Sequence, residues 1–404
     1  MIGKTNAVNK PGVELSLVVS VTTGAVVTAT KGSLTVSGTA SGGSCVLALP
    51  EAGTWSVKAT YNGQTSNTAS VSVVDSYAVS LTFFSATITV TVDSGASVVL
   101  KKDGATVQTK TSTGTAVFTV TETGSYTVEA TKNGQTVSGS VTVSSGTTSY
   151  ALTLSFVSST LNDNEWSVIK TVSDAGEGAN YWSIGDRKAT ALSGTVELLT
   201  FSGTYYAFII GFNHNSGNEG SGCIHFQLGK TDLSGGSDIC FTDSKYGNTG
   251  GGFRMNTSNT NSGGWNNSHM RKTICPAFKN VLPAALKSVI KSVTKYTDNT
   301  GNSSAANAVT ATTDEIFLLS EYEVFGSISY GNSNEKNKQA QYAYYSAGNS
   351  KVKNKHSATG EAARWWLRSP RSGDAASFVL VRTGGTVNIG GAYYSFGFAP
   401  GFCV

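Results

Sequence analysis

Thiols and imidazoles, the side chains most used for transition-metal and nucleophilic chemistry, number nine in this sequence: Cys45, Cys223, Cys240, Cys275 and Cys403, with His214, His225, His269 and His356. No CxxC occurs and the cysteines lack metal-ligand spacing, so the residues predict no metal and five buried free thiols. His214 and His225, in "GFNHN" and "IHFQ", stand eleven residues apart. Neither lies in a recognisable nucleophile arrangement with a cysteine or carboxylate. GxSxG, HExxH and a phosphate-cradling loop are absent. No catalytic residue and no cofactor is therefore expected, and His269 in "SHMRK" and His356 in "NKHSATG" read as structural loop residues.

The other chemistry on offer is recognition, and it is concentrated at the carboxy end. In "WWLRSP", Trp365 to Pro370, the two-residue period of a strand puts Trp366 and Arg368 on one face and Trp365 on the other. One indole is expected in the core and the other beneath the loop that follows. Arg368 is expected to bridge to a carboxylate or to carbonyls under the loops. Further on, Tyr393, Tyr394 and Phe396 sit among Gly390, Gly391 and Gly397. Rigid aromatics among small residues are the composition of a binding surface, because contact area comes at low entropic cost.

What positions these residues is a chain of 404 residues, long enough for two to four domains. Charged residues make up only 13%, and 46 Gly accompany 6 Pro, a composition of β-sandwiches and exposed loops. The net charge of +4 is small and scattered, which argues against nucleic acid as a partner. "EAGTWSVKATYNGQT" from Glu51 returns as "ETGSYTVEATKNGQT" from Glu122, a shift of 122 − 51 = 71 residues. Each copy alternates (Trp55, Val57, Ala59; Tyr126, Val128, Ala130) and carries an Asn-Gly turn, so each reads as a small Ig-like sandwich. The boundaries expected are 1–76 and 77–155, with a third domain over 156–404. In that domain the spacing of apolar residues predicts helices over Asn162–Gly176, Leu282–Tyr296 and Thr312–Gly326, a strand at Tyr205–Phe212 and a long loop from Asp243 to Arg271. "MIGKTNAVNKPGVEL" lacks an apolar run of the signal-peptide kind, and no stretch approaches the roughly 20 apolar residues of a membrane span, so neither export nor membrane insertion is expected.

"FIIGFNHN", "IHFQLGK", "NTNSGGWNNSHMR", "SVTKYTDNTG", "FLLSEYEVFG", "QAQYAYYSAGNSKV" and "WWLRSP…GFAPGFCV" occur in this order. The set resembles the carboxy-terminal domain common in phages and prophages of gut bacteria. That domain is similar to the C-type-lectin fold of variable proteins of diversity-generating retroelements, and distantly to the formylglycine-generating-enzyme fold. The resemblance covers about Phe156 to Val404 and implies an α+β C-type-lectin-like domain there, following the two all-β Ig-like sandwiches read from the repeat. It also implies a scaffold of Trp365, Trp366, Arg368, Phe378, Val381, Val387, Ala392, Gly397, Ala399, Pro400 and Phe402. A variable segment, 371–396, would present Arg371, Asp374, Ala376, Leu380, Arg382, Ile389, Gly390, Tyr393, Tyr394 and Phe396, with Asn388 the one asparagine kept.

The function implied is that of a phage virion protein, assembled in the host cytoplasm, that binds a host cell-surface glycan or protein. Its amino-terminal domains would join other virion proteins, and a homo-oligomer is compatible with that arrangement. The expectation from sequence is one exposed patch of Tyr393, Tyr394, Phe396, Arg371, Asp374 and Arg382, far from Met1. The alternative is a structural capsid or tail decoration protein, or a bacterial surface adhesin, without enzymatic activity.

Overall fold

The structure is a computed structural model that describes residues 15–243 and 252–404. Residues 1–14, read above for a signal and including Met1, and 244–251 of the long loop lie outside the described residues. The chain is multidomain and mostly β, and it divides into two compact units, Met1–Phe156 and Val157–Val404.

The first unit holds two Ig-like sandwiches, and the repeat explains both. In the first, Ser44–Ala48, Ser16–Ser20 and Ser76–Ser80 form one sheet; the other is built around Val26–Lys31 and Gly53–Tyr61. In the second, Thr115–Val120, Ala86–Thr91 and Ser149–Thr153 pair, as do Ala105–Thr111, Ser97–Lys102, Gly124–Lys132 and Gln135–Val143. Leu17, Val19, Val27, Leu47, Trp55 and Val57 are buried, and so are their counterparts 71 residues on, Ile88, Val90, Val98, Phe118, Tyr126 and Val128. Even the polar tips are equivalent: Trp55 Nε1 donates to the Glu51 carbonyl at 3.2 Å and the Tyr126 hydroxyl to the Glu122 carbonyl at 2.9 Å. Both Asn-Gly turns have positive φ at each residue (48° and 81° at Asn62-Gly63, 51° and 80° at Asn133-Gly134), as a two-residue hairpin of this kind requires.

The boundary expected after residue 76 is displaced. Ser76–Ser80 pairs in parallel with Ser16–Ser20, and Leu81 is buried in the first core with Phe83 packed against it. Phe84 packs on the second core, so the change falls between Phe83 and Phe84. Phe156 also packs on the second core, and Val157 begins the next unit.

The second unit is organised by a five-stranded sheet in the order Arg187–Val196, Leu199–Phe212, Ile224–Lys230, Gly401–Cys403, Ile316–Phe317. The final residues thus enter the sheet between two earlier strands, and every residue of Ile224–Lys230 is buried. A second sheet joins Trp365–Pro370, Ser377–Val381 and Val387–Gly391. The helix expected near Asn162 is Trp166–Asp174, burying Trp166, Ile169 and Val172, with Glu165 as its N-cap and Gly176 at positive φ beyond its end.

The other two helical readings need correction. Of Leu282–Tyr296 only Ala284–Lys287 is helical; Lys291 N–H donates to the Cys403 carbonyl at 2.9 Å, and Val293–Asp298 is a strand paired with Val309–Asp314. Tertiary pairing overrides an apolar periodicity that reads as a helix. Of Thr312–Gly326 only Glu321–Phe325 is helical, started by a capping box between Ser320 and Glu323. The preceding Ile316, Phe317, Leu318 and Leu319 are all buried, which a strand run inside a core requires and one face of a helix does not. No helix among the described residues is long and apolar enough to cross a membrane.

Candidate ligand-binding surface

Trp365, Trp366, Phe378, Val381, Ala392, Ala399 and Phe402 are wholly buried, and Gly397 and Pro400 are also buried; Val387 is half-buried. Each indole finds a carbonyl. Trp365 Nε1 donates to Lys351 O at 3.0 Å, and Trp366 Nε1 donates to Phe253 O at 2.8 Å, so the second ring holds the segment that follows residue 251. Arg368 donates to both Glu323 carboxylate oxygens, to Thr297 Oγ1 at 2.8 Å and to the Leu318 carbonyl at 2.9 Å. A bidentate pair of this kind fixes geometry as well as charge.

Beneath the Trp365–Pro370 strand the Arg368 pair opens into a buried polar cluster. Lys295 Nζ bonds Glu219, Glu323 (3.3 Å) and the Tyr342 hydroxyl (2.8 Å). The His214 ring stacks on Tyr342 with centroids 3.7 Å apart, and His225 Nδ1 lies 3.1 Å from the Tyr342 oxygen. Burial would raise the Glu323 carboxyl, but Arg368 and Lys295 outweigh it and hold it well below the usual carboxylate range. Burial, reinforced by Lys295, lowers His214 to about 3 and His225 well below its ordinary value, so both rings stay neutral. His214, Glu219 and Glu323 bring ligand atoms within 4.8 Å of one another, the spacing of a cation site. The Lys295 ammonium already bonds both carboxylates there, so the cluster carries its own cation.

The presented positions divide. Arg382 and Tyr394 are exposed; Arg371, Asp374, Ala376, Ile389, Gly390 and Tyr393 are half-buried. Leu380 and Phe396 are buried, contrary to expectation. Leu380 lies across the sheet from Trp366 and Asn388, and Phe396 meets the Trp366 ring edge-on at 4.9 Å, so both belong to the floor. Gly390 belongs there too: a Cβ on it would lie 2.7 Å from Phe396 and 2.8 Å from Leu380.

Arg371 and Asp374 pair with each other at 2.8 Å, and Asp374 also accepts from Ala376 N and Ser377 Oγ. The Ala376 bond is the main reason its carboxyl is lowered. Asn261, whose role the sequence did not disclose, clamps this turn by donating to the carbonyls of Arg371, Asp374 and Ser377.

The expected single patch is therefore not formed. Arg382 lies at the turn between Ser377–Val381 and Val387–Gly391, and Tyr393 and Tyr394 follow the other end of the second strand. Five strand residues at about 3.3 Å each separate them. What the structure does bring together is a shallow cavity of about 390 Å³, lined by Arg364, Ser377, Ile389, Gly390, Gly391, Tyr394 and Phe396. Tyr394 stands at its rim, and the Tyr393 ring lies against Tyr394 with centroids 4.3 Å apart. Arg364 and Ser377 are the residues the sequence reading missed here; Arg364 directly precedes the tryptophan pair, and its guanidinium lies 5.7 Å from the Phe396 ring centre.

The cysteines also need correction. Cys223 and Cys403 form a disulfide, while Cys45, Cys240 and Cys275 are free and buried. The reading of five free thiols failed because the partners are 180 residues apart and meet only when the last strand inserts.

A family described as "Domain of unknown function (DUF6273)" matches residues 244–404, the part of the chain that holds this cavity. No curated protein matches the chain. Similar solved structures include GBS52, the minor pilin of Streptococcus agalactiae, at 10% identity over 35% of this chain and 94% of that one, with a TM-score of 0.23. The Bacillus anthracis TIE protein is similar at 12% identity over 54% of this chain and 45% of that one, with a TM-score of 0.18. The family 26 carbohydrate-binding module of Amy13K from Eubacterium rectale, solved with maltoheptaose, is similar at 14% identity over 35% and 92%, with a TM-score of 0.14. At these scores none of the three assigns a fold or a role to any part of this chain.

Proposed function

We propose that the protein recognises a host cell-surface glycan or protein through the cavity between Arg364, Ile389 and Tyr394, with the two Ig-like sandwiches as spacers and attachment modules. The observation that carries this reading is the contrast between rim and floor. Tyr394 is 37% exposed beside Tyr393, while the floor beneath is closed by buried Trp366, Leu380 and Phe396. A rigid floor with aromatic rings at its edge loses little freedom on binding, and a cavity with an aromatic wall and one guanidinium suits a sugar ring or a peptide side chain.

The ordered motifs of the carboxy-terminal unit support a C-type-lectin-like fold for it and a place on a phage particle. Diversification, on this reading, acts on Ala376, Arg382, Ile389, Tyr393 and Tyr394, and spares Leu380, Gly390 and Phe396, whose side-chain space is already taken. Changing Tyr393 and Tyr394 together to Ser tests the proposal by attachment of labelled full-length protein to host cells. Attachment falls at least tenfold with an unchanged unfolding midpoint; normal attachment by a folded double variant contradicts the reading.

A further inference from the structure

His225 stands directly opposite Cys403 in the pairing of Ile224–Lys230 with Gly401–Cys403. Cys223, two residues before His225, falls on the same face, and its sulfur is bonded to that of Cys403, with Cα atoms 5.8 Å apart. A ring nitrogen of His225 and the two sulfurs lie within 4.8 Å of one another. His225 is wholly buried; Nδ1 is engaged with Tyr342, and Nε2 has no hydrogen-bond partner. An orphaned ring nitrogen in a core costs free energy, and a disulfide does not require an imidazole beside it.

We propose that Cys223, His225 and Cys403 form a zinc site in the thiol state of the protein, so that the disulfide and the zinc complex are alternative ways of closing the same strand pair. Two thiolates and an imidazole are three of the four ligands that tetrahedral Zn²⁺ takes, with bonds of about 2.3 Å to sulfur and about 2.0 Å to nitrogen. Two sulfurs on such an ion sit about 3.8 Å apart, a separation that side-chain rotation supplies once the S–S bond opens. The Tyr342 oxygen on Nδ1 is the outer partner that orients a ligating histidine and leaves Nε2 for the metal. The Val404 oxygen, 3.6 Å from Cys403 Sγ, already accepts from Ser173 Oγ and Ile224 N, so the fourth position falls to a water, as in open zinc sites. Two thiolate charges cancel those of the ion, so zinc enters this core near Lys295 without adding net charge.

The exchange balances with low-molecular-weight thiols as the reductant. Two of them give up two electrons and two protons, the Cys223–Cys403 bond breaks to two thiols, and the reductant leaves as its own disulfide. Zn²⁺ then displaces the two thiol protons. Reducing compartments favour the zinc form and oxidising surroundings the disulfide. Because the three residues are buried, the ion loads as the last strand docks, which couples binding to folding. None of this rests on the surface-recognition reading.

The test uses the full chain, reduced with a phosphine in the absence of oxygen, mixed with Zn²⁺ and desalted. The expected result is one zinc per reduced chain and none per oxidised chain, with thiolate-to-metal charge-transfer absorption when Co²⁺ replaces zinc. Retention is lost in Cys223→Ser and weakened about tenfold or more in His225→Ala. A reduced chain that stays folded without retaining zinc overturns the proposal. So does zinc retained equally by Cys223→Ser, which would place it on Cys45, Cys240 or Cys275, and so does a reduced chain that unfolds whether or not zinc is present. If His225→Ala does not fold, the oxidised and reduced wild-type chains and Cys223→Ser still decide.

Discussion

Glu335 shows what a single buried carboxyl does to this domain. It accepts from Asp298 N at 3.0 Å, Ser369 Oγ at 2.6 Å and Gln339 Nε2 at 3.3 Å, yet burial outweighs these bonds and pushes it up to about 7. A carboxyl raised on folding favours the native state while protonated, and that advantage is lost as pH rises from its ordinary value near 4.5 through 7. His214 and His225 act in the opposite sense, because burial keeps them neutral and the unfolded chain protonates them below about pH 6.5. The clean quantity is therefore a difference between variants. Glu335→Gln should match the wild type near pH 5 and gain on it progressively to pH 8, by as much as about 3 kcal/mol. Denaturant titrations at three pH values check this, and a constant difference across the range contradicts it. At this scale the sequence disclosed one core indole, with the other placed beneath a loop, whereas both are wholly buried; of the two partners it offered Arg368, a carboxylate or carbonyls, the side chain takes both. It did not disclose Glu219, Lys295 and Glu323 as one cluster, because each is an ordinary charged residue in its own segment and only packing joins them.

At the scale of elements, the strand pattern was legible wherever one face is dry and the other wet. Trp55, Val57 and Ala59 alternate with exposed residues, and their counterparts in the second sandwich alternate with exposed Thr127 and half-buried Glu129. It failed where both faces are buried or where pairing is long-range, as in Val293–Asp298, whose register against Val309–Asp314 no local signal announces. The hairpin that carries the candidate surface obeys the same logic. Gly390 faces Phe396, Leu380 and Trp366 too closely for any side chain, whereas Gly384, in the turn of that hairpin, has no atom within 4 Å of a Cβ. Gly390→Val should therefore destabilise by about 1–3 kcal/mol through overpacking, while Gly384→Ser should leave the unfolding midpoint within error. Equal effects at the two glycines would mean that the floor of the cavity is not closed as described.

For the whole molecule, the 71-residue repeat gave the two sandwiches, and the change of texture near residue 156 gave the third domain to within one residue. The join between sandwiches was missed by several residues, because Ser76–Ser80 is the closing strand of the first copy and pairs with its first strand, as Ser149–Thr153 does in the second. A fragment spanning 157–404 keeps its own core and its disulfide and is expected to unfold cooperatively on its own; a broad transition without fixed tertiary signals would show that it depends on the sandwiches. The molecule is expected to meet its partner at the cavity beside Tyr394. Hydrogen–deuterium exchange of the full chain, alone and with host-cell envelope, reads that directly. Protection should fall on Arg364 and on residues 386–396, with both sandwiches unchanged. Protection confined to the sandwiches, with 386–396 exchanging as in the free protein, would contradict the account.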